Sequence, residues 1–173
     1  MKTNTIIKLA TDRKDWPHDI LRLSDTSAVQ RDVFQALREL GVRANYKPAH
    51  SKKPNTAVAA PGVLFLPQDW WQMSAVARAS LLIHELVHYL GRRKHSVRWF
   101  LRYAQPWWLV ILELQAMSAS HHWLRRHNHR SASFDVESYC YNTLINHYGP
   151  VVRWLNKRKL SGVVRKVLAR AFR

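Results

Sequence analysis

Residues 84–88 read His84-Glu85-Leu86-Val87-His88, an H-E-x-x-H pentapeptide inside the apolar run Leu81 to Leu90. It constrains the fold strongly, because a carboxylate amid Leu-Ile-His-Glu-Leu-Val is costly to bury unless something pairs with it. Val76, Ser80, Leu82, Ile83, Leu86, Val87 and Leu90 recur at helical spacing, Ser74 can cap the run, and Gly91 stands where a terminating glycine is expected. On that helix, positions i and i+4 share a face, so both imidazoles can grip one metal ion. Glu85 stands about 100° around the helix from His84, beside the pair, where it can take a proton from a metal-bound water. Random order gives the pentapeptide in roughly 1% of sequences of this composition. Of the residues after Asp69, only Glu85, Glu113, Asp135 and Glu137 are acidic.

A catalytic zinc needs three protein ligands and one open position. Glu113 is the expected third. Its place after His88 leaves room for a turn, a short helix and a return helix antiparallel to the first. Trp107 to Leu112 before it reads as buried, and the small Ala116 one turn on would let the two helices approach closely. His95 is the rival, in H-E-x-x-H-x-x-G-x-x-x-H, one residue longer than the extended metzincin motif, which would want His at Lys94. No Met-turn accompanies it. His121 and His122 are further candidates. With His127 and His129 they read as a solvated face with incidental affinity for metal, or as a second, weaker metal patch.

At 173 residues the chain suits one ordinary domain, taken as residues 1–150, followed by a basic amphipathic helix at 151–173. Its 28 Lys and Arg against 11 Asp and Glu give a net charge of +17. Such a surface favours polyanions: nucleic acid, anionic membrane or a phosphate-rich envelope polymer. Cys140 is the only cysteine, which excludes an intramolecular disulfide or a cysteine-based zinc cluster. No run approaches the ~18 apolar residues of a spanning helix, and residues 1–8 lack the apolar core of a secretory signal. The expected location is cytoplasmic, or virion-associated if a phage encodes the chain.

Along the chain, residues 1–24 read as irregular. A helix is expected from about Ala28 to Leu40, capped by Ser24 or Thr26 and ended by Gly41. Val42 to Lys47 alternates as a strand, Pro48 to Asn55 is a loop, and Thr56–Ala60 and Val63–Leu66 form strand segments broken by Pro61-Gly62. After the motif helix come a basic run at 92–95 and a helical stretch at 97–103. A further helix runs from Pro106 through Glu113 toward Trp123, then a His-rich turn to Arg130 and a last helix from Phe134 to Tyr148.

Residues from about Val63 to Ser120 resemble the small gluzincin-type zinc metallopeptidases. In that family a strand precedes an H-E-x-x-H helix, and a Glu-x-x-Ala helix downstream supplies the third ligand. His84, Glu85 and His88 match the first motif, Glu113 and Ala116 the second. The resemblance covers roughly a third of the chain. It implies an α+β, predominantly helical fold: a zincin-like core with a small β-sheet packed on the motif helix and further helices after it. It also implies Zn²⁺ held by His84, His88 and Glu113, with Glu85 as general base and then acid, acting on a peptide or protein substrate. A second donor for the oxyanion is expected, with Tyr139, Tyr141 and His147 as candidates.

The tail from Val151 to Arg173 carries eight Lys or Arg and no acid. Leu160, Val163, Val164, Val167, Leu168, Ala171 and Phe172 make an apolar stripe, and basic residues fill the remainder. Such a helix suits a membrane surface, a partner, nucleic acid, or docking on its own domain with the wet face charged. The alternative to an enzyme is therefore a polyanion-binding or assembly protein whose metal site is structural or vestigial.

Overall fold

The computed structural model describes residues 3–10, 17–48, 57–94, 106–129, 142, 144–145 and 157–171. The architecture is α+β and mostly helical, with one three-stranded sheet. Helix α1 spans Thr3–Ala10 and a 3-10 turn Ile20–Arg22. The expectation that residues 1–24 are irregular is therefore corrected. Ile6 and Ile7 are buried against later helices, a tertiary stabilisation that no local periodicity reveals in eight residues.

Helix α2, Thr26–Glu39, is capped by Asp25, whose carboxylate accepts from the Ser27 and Ala28 amides, rather than by Ser24 or Thr26. It ends at Gly41, at φ 72°. The Val42 amide donates to the Leu37 carbonyl and the Gly41 amide to that of Arg38, satisfying the last free carbonyls of the helix. Strands β1 (Arg43–Tyr46), β2 (Val58–Ala60) and β3 (Val63–Leu66) follow in the order β1-β3-β2. β3 lies parallel to β1 and antiparallel to β2. Pro61-Gly62 closes the β2–β3 hairpin, with Gly62 at φ 73° supplying the left-handed residue that such a turn needs.

Helix α3, Ala75–Lys94, carries the pentapeptide. Ser74 caps it as expected, its Oγ accepting from the Ala77 amide. Gly91 does not end it. The residue is buried inside the helix, and the Arg-Arg-Lys run after it, good helix formers, continues to Lys94. The Tyr89 hydroxyl lies 2.7 Å from the Val63 carbonyl and 3.1 Å from that of Ala60, fixing α3 to the turn end of the hairpin.

Helix α4, Pro106–Arg126, overruns the turn expected from His121. It closes about two turns later at Asn128, at φ 57°, where the His129 amide donates to the Leu124 carbonyl. Helix α5 is Lys157–Ala171. The expected helix at 134–148 falls almost wholly outside the described residues; Asn142, Leu144 and Ile145 within it are helical, and Leu144 is buried.

Two cores flank α4. Val29, Val33, Leu37, Leu64, Leu66, Ala79, Leu82, Ile83 and Leu86 pack with Ala116, Ala119 and Trp123. On the other side, Val110, Ile111, Leu114 and Met117 pack with Ile6, Ile7 and the α5 stripe of Leu160, Val163, Val164 and Val167. A helix lined by both cores has no polar stripe, so it reads as apolar nearly all round. No described helix is long and apolar enough to cross a membrane.

Candidate metal centre

His84 and His88 stand one turn apart on α3, and Glu113 approaches from the second turn of α4. The helices can come this close because small residues, Ala79 on α3 and Ala116 and Ala119 on α4, are fully buried in their shared core. The two Nε2 atoms lie 3.1 Å apart. His84 Nε2 is 3.5 Å from Glu113 Oε2, and His88 Nε2 is 3.4 Å from Glu113 Oε1. Among the described residues this is the one group of three or more His, Cys, Asp or Glu side chains whose ligand atoms gather within 4.8 Å of one another.

These separations can be tested against a metal. With ligand bonds of about 2.0–2.1 Å, neighbouring corners of a tetrahedral zinc site are about 3.3–3.4 Å apart. The 3.1 Å between the imidazoles lies near that edge, and each imidazole has one Glu113 oxygen, a different one for each, at 3.5 or 3.4 Å. Two imidazoles and a carboxylate are also the donor types zinc accepts. The group therefore fits a divalent cation in both spacing and chemistry.

The electrostatics agree. Glu113 is 4% exposed and Glu85 6%, so two carboxylates are sequestered in one apolar region. Burial pushes the Glu85 carboxyl up to about 7; the His84 charge opposes this, Glu113 adds to it, and Lys47 opposes it. Burial pulls the His88 imidazole down to about 4, with Glu113 pulling the other way and His84 pushing it further down. Burial also works to lower His84, but the hydrogen bond and charge of Glu113, with the charge of Glu85, outweigh it and leave that ring raised. One neutral imidazole and one positively biased imidazole thus face a buried carboxylate. A cation held among them offsets the mutual repulsion of Glu85 and Glu113.

Lys47 was not marked by any motif. It sits just past β1, its amide donating to the Leu66 carbonyl, and it is 8% exposed. Its only sequence signal is a lysine ending an alternating strand. Among the described residues, the other histidines do not join the group. His127 Nε2 lies 3.0 Å from the Leu21 carbonyl, and the His129 ring stacks at a tilt 4.9 Å from Trp123. Both are half-buried, so the solvated face expected of them is corrected: they pack α4 onto the 3-10 turn, aided by the Trp123 indole donating to the Leu23 carbonyl. His121 and His122 are half-buried on α4. His95, Tyr139, Tyr141 and His147 lie outside the described residues.

Comparison with protein-family models, with curated proteins and with solved structures gives no match to this chain.

Proposed function

We propose that the chain is a zinc-dependent metallopeptidase with a zincin-like core, hydrolysing a peptide or amide bond. One observation carries the reading: Glu113, on a separate helix, meets His84 and His88 within metal-binding distance. A coincidental H-E-x-x-H helix has no reason to recruit a buried carboxylate from another element. The small sheet fixed to α3 through Tyr89, with helices following, accords with the same reading.

When bound, zinc lowers the pKa of a water from 15.7 to about 7 and polarises the scissile carbonyl. The residues divide the remaining work. His84 and His88 would hold the ion through Nε2, His84 giving up the proton that Glu113 and Glu85 favour on it, and Glu113 would contribute a negative oxygen. Glu85, beside His84 in the same buried region, accepts the proton released by the attacking water on its carboxylate. It then returns that proton to the nitrogen of the departing amine, so the carboxylate is regenerated. Its apolar surroundings suit the second half of that cycle, because they raise its proton affinity toward neutrality.

The test is metal analysis of the native protein followed by digestion of a mixed peptide library, with and without chelator, by wild type and Glu85→Gln. Stoichiometric zinc with chelator-sensitive cleavage, lost in Glu85→Gln, is the expected outcome. Zinc-loaded wild type that cleaves nothing, or cleavage that survives in Glu85→Gln, refutes the peptidase reading.

A further inference from the structure

Among the described residues three large apolar side chains are exposed: Trp71 at 73%, Tyr46 at 49% and Val58 at 44%. The sheet register brings two of them to one place. Tyr46 pairs with Leu66 and Val58 with Phe65, so both flank the C-terminal end of β3, two strand spacings or about 10 Å apart. Trp71 stands in the connection that leaves the same end for α3. The Gln68 side-chain amide in that connection donates to the Pro48 carbonyl at 2.7 Å, just past β1. The rim of the sheet opposite the Pro61-Gly62 turn is therefore aromatic and aliphatic where it meets water.

The neighbouring Trp70 is buried and meets the Phe34 ring edge-on at 6.3 Å, whereas Trp71 is held outward. The Arg78 guanidinium, in the first turn of α3, lies 5.6 Å from the Trp71 ring and 5.9 Å from the Trp70 ring, a cation–π arrangement that fixes the outer indole relative to the inner one. An indole so placed presents an apolar body and a polar N–H, the combination that suits the boundary between lipid and water. Charge runs the same way. From Arg43 to Arg78 the sequence carries five Lys or Arg and one acid, Asp69, within a chain of net charge +17.

We infer that this end of the sheet docks on an anionic lipid surface, with Trp71 and Tyr46 at headgroup depth and Val58 beside them. Area separates this occupant from a protein. The exposed parts of the three side chains amount to at most roughly 400 Å², half of the ~800 Å² that one partner brings to a stable protein interface. A lipid surface needs less, since a few inserted side chains and electrostatic attraction act together. Val58 separates it from nucleic acid, because an aliphatic side chain offers a base no ring to stack on. Docking at headgroup depth requires no spanning helix. The surface is also distinct from the metal centre, since His84 lies about 9 Å further along the axis of α3 than Arg78.

Cosedimentation is measured with vesicles of equal phosphatidylglycerol and phosphatidylcholine, and with phosphatidylcholine alone. The proteins are wild type, Tyr46→Ser, Trp71→Ser and the double variant, with folding of each verified by circular dichroism. Wild type is expected to bind the anionic vesicles and to leave the neutral ones largely unbound. Losing the partial burial of one indole lowers the partition coefficient about tenfold or more, and the double variant loses more than either single one. Tyr46→Ser, which leaves the stack of Arg78 on Trp71 untouched, is expected to weaken binding about threefold or more, so the test holds even where Trp71→Ser disturbs folding. Variants that bind like wild type overturn the inference, since net charge alone then explains association. So does wild type that ignores anionic vesicles, binds neutral ones equally, or uses Trp71 instead to bind single-stranded DNA or to dimerise. Chelator leaves the expected binding unchanged, so the peptidase reading can fail while this one stands.

Discussion

Replacing Glu113 with glutamine separates metal binding from ordinary packing, because the amide keeps the size of the side chain and removes its charge. Glu113 is buried, and its two oxygens face His84 and His88 at 3.5 and 3.4 Å. An ion that binds only the folded chain stabilises it by about 2.7 kcal/mol when free ion stands 100-fold above Kd. In a domain of this size each kcal/mol moves Tm by about 2–4 °C, so zinc should raise the wild-type Tm by roughly 5–11 °C over chelator-treated protein. With one of three ligands neutralised, that rise should fall to nearly nothing at the same zinc concentration. Differential scanning fluorimetry across a zinc series reads both quantities. If Glu113 is instead a structural acceptor for two imidazoles, the glutamine variant melts lower without metal, by about 1–3 kcal/mol of lost charged hydrogen bonding, and zinc shifts neither protein. An undiminished zinc response in Glu113→Gln refutes its assignment as a ligand.

Glu85→Gln should keep the full zinc-dependent rise in Tm and lower peptide cleavage by at least about 100-fold, read by mass spectrometry of library digests. Lys47→Met removes a buried cation whose charge reaches Glu85, so zinc affinity measured by competition with a chromogenic chelator should tighten by about tenfold or more. Trp123→Phe deletes the indole donor to the Leu23 carbonyl, at 2.8 Å, and should cost about 2 kcal/mol, or roughly 4–8 °C in Tm. His121 is lowered to about 4 by burial, then by the charges of Arg125 and His122. Because its folded pKa lies below its unfolded value near 6.5, its contribution to stability is whole above that pH and fades as pH falls toward about 4. A titration of the imidazole resonances should show this ring still neutral at pH 5.

The parts of this architecture legible in the sequence are those with a local cause. Ser74 before the motif helix, Gly41 after α2 and Pro61-Gly62 between β2 and β3 act within a few residues, and each does in the structure what its chemistry dictates. Glu113 was legible for a different reason: its distance after His88 leaves room for a return helix, and Ala116 one turn on lets that helix approach the motif helix closely. The misreadings have tertiary causes. α1 is held by Ile6 and Ile7 in a core built from residues more than a hundred positions away, and by the Gln115 amide on the Leu9 carbonyl at 2.6 Å. Gly91 lost its terminating role to burial and to the helix-forming run after it. Lys47 was invisible because burial beside a site leaves no mark on a lone lysine.

The two cores give a reason why a carboxylate on α4 can serve α3 reliably. Ala116, Ala119 and Trp123 lock one side of α4 to the sheet and motif helix, while Val110, Ile111, Leu114 and Met117 lock the other to α1 and α5. A helix packed on both sides cannot rotate without opening a cavity on one side and overpacking on the other. Glu113, lying between those stripes, is thereby held in orientation by the packing on either side of it. A metal site needs ligands held to within about 0.5 Å before the ion arrives. Here that constraint comes from apolar packing on both flanks of the helix, which gives α1 and α5 a structural role at the site.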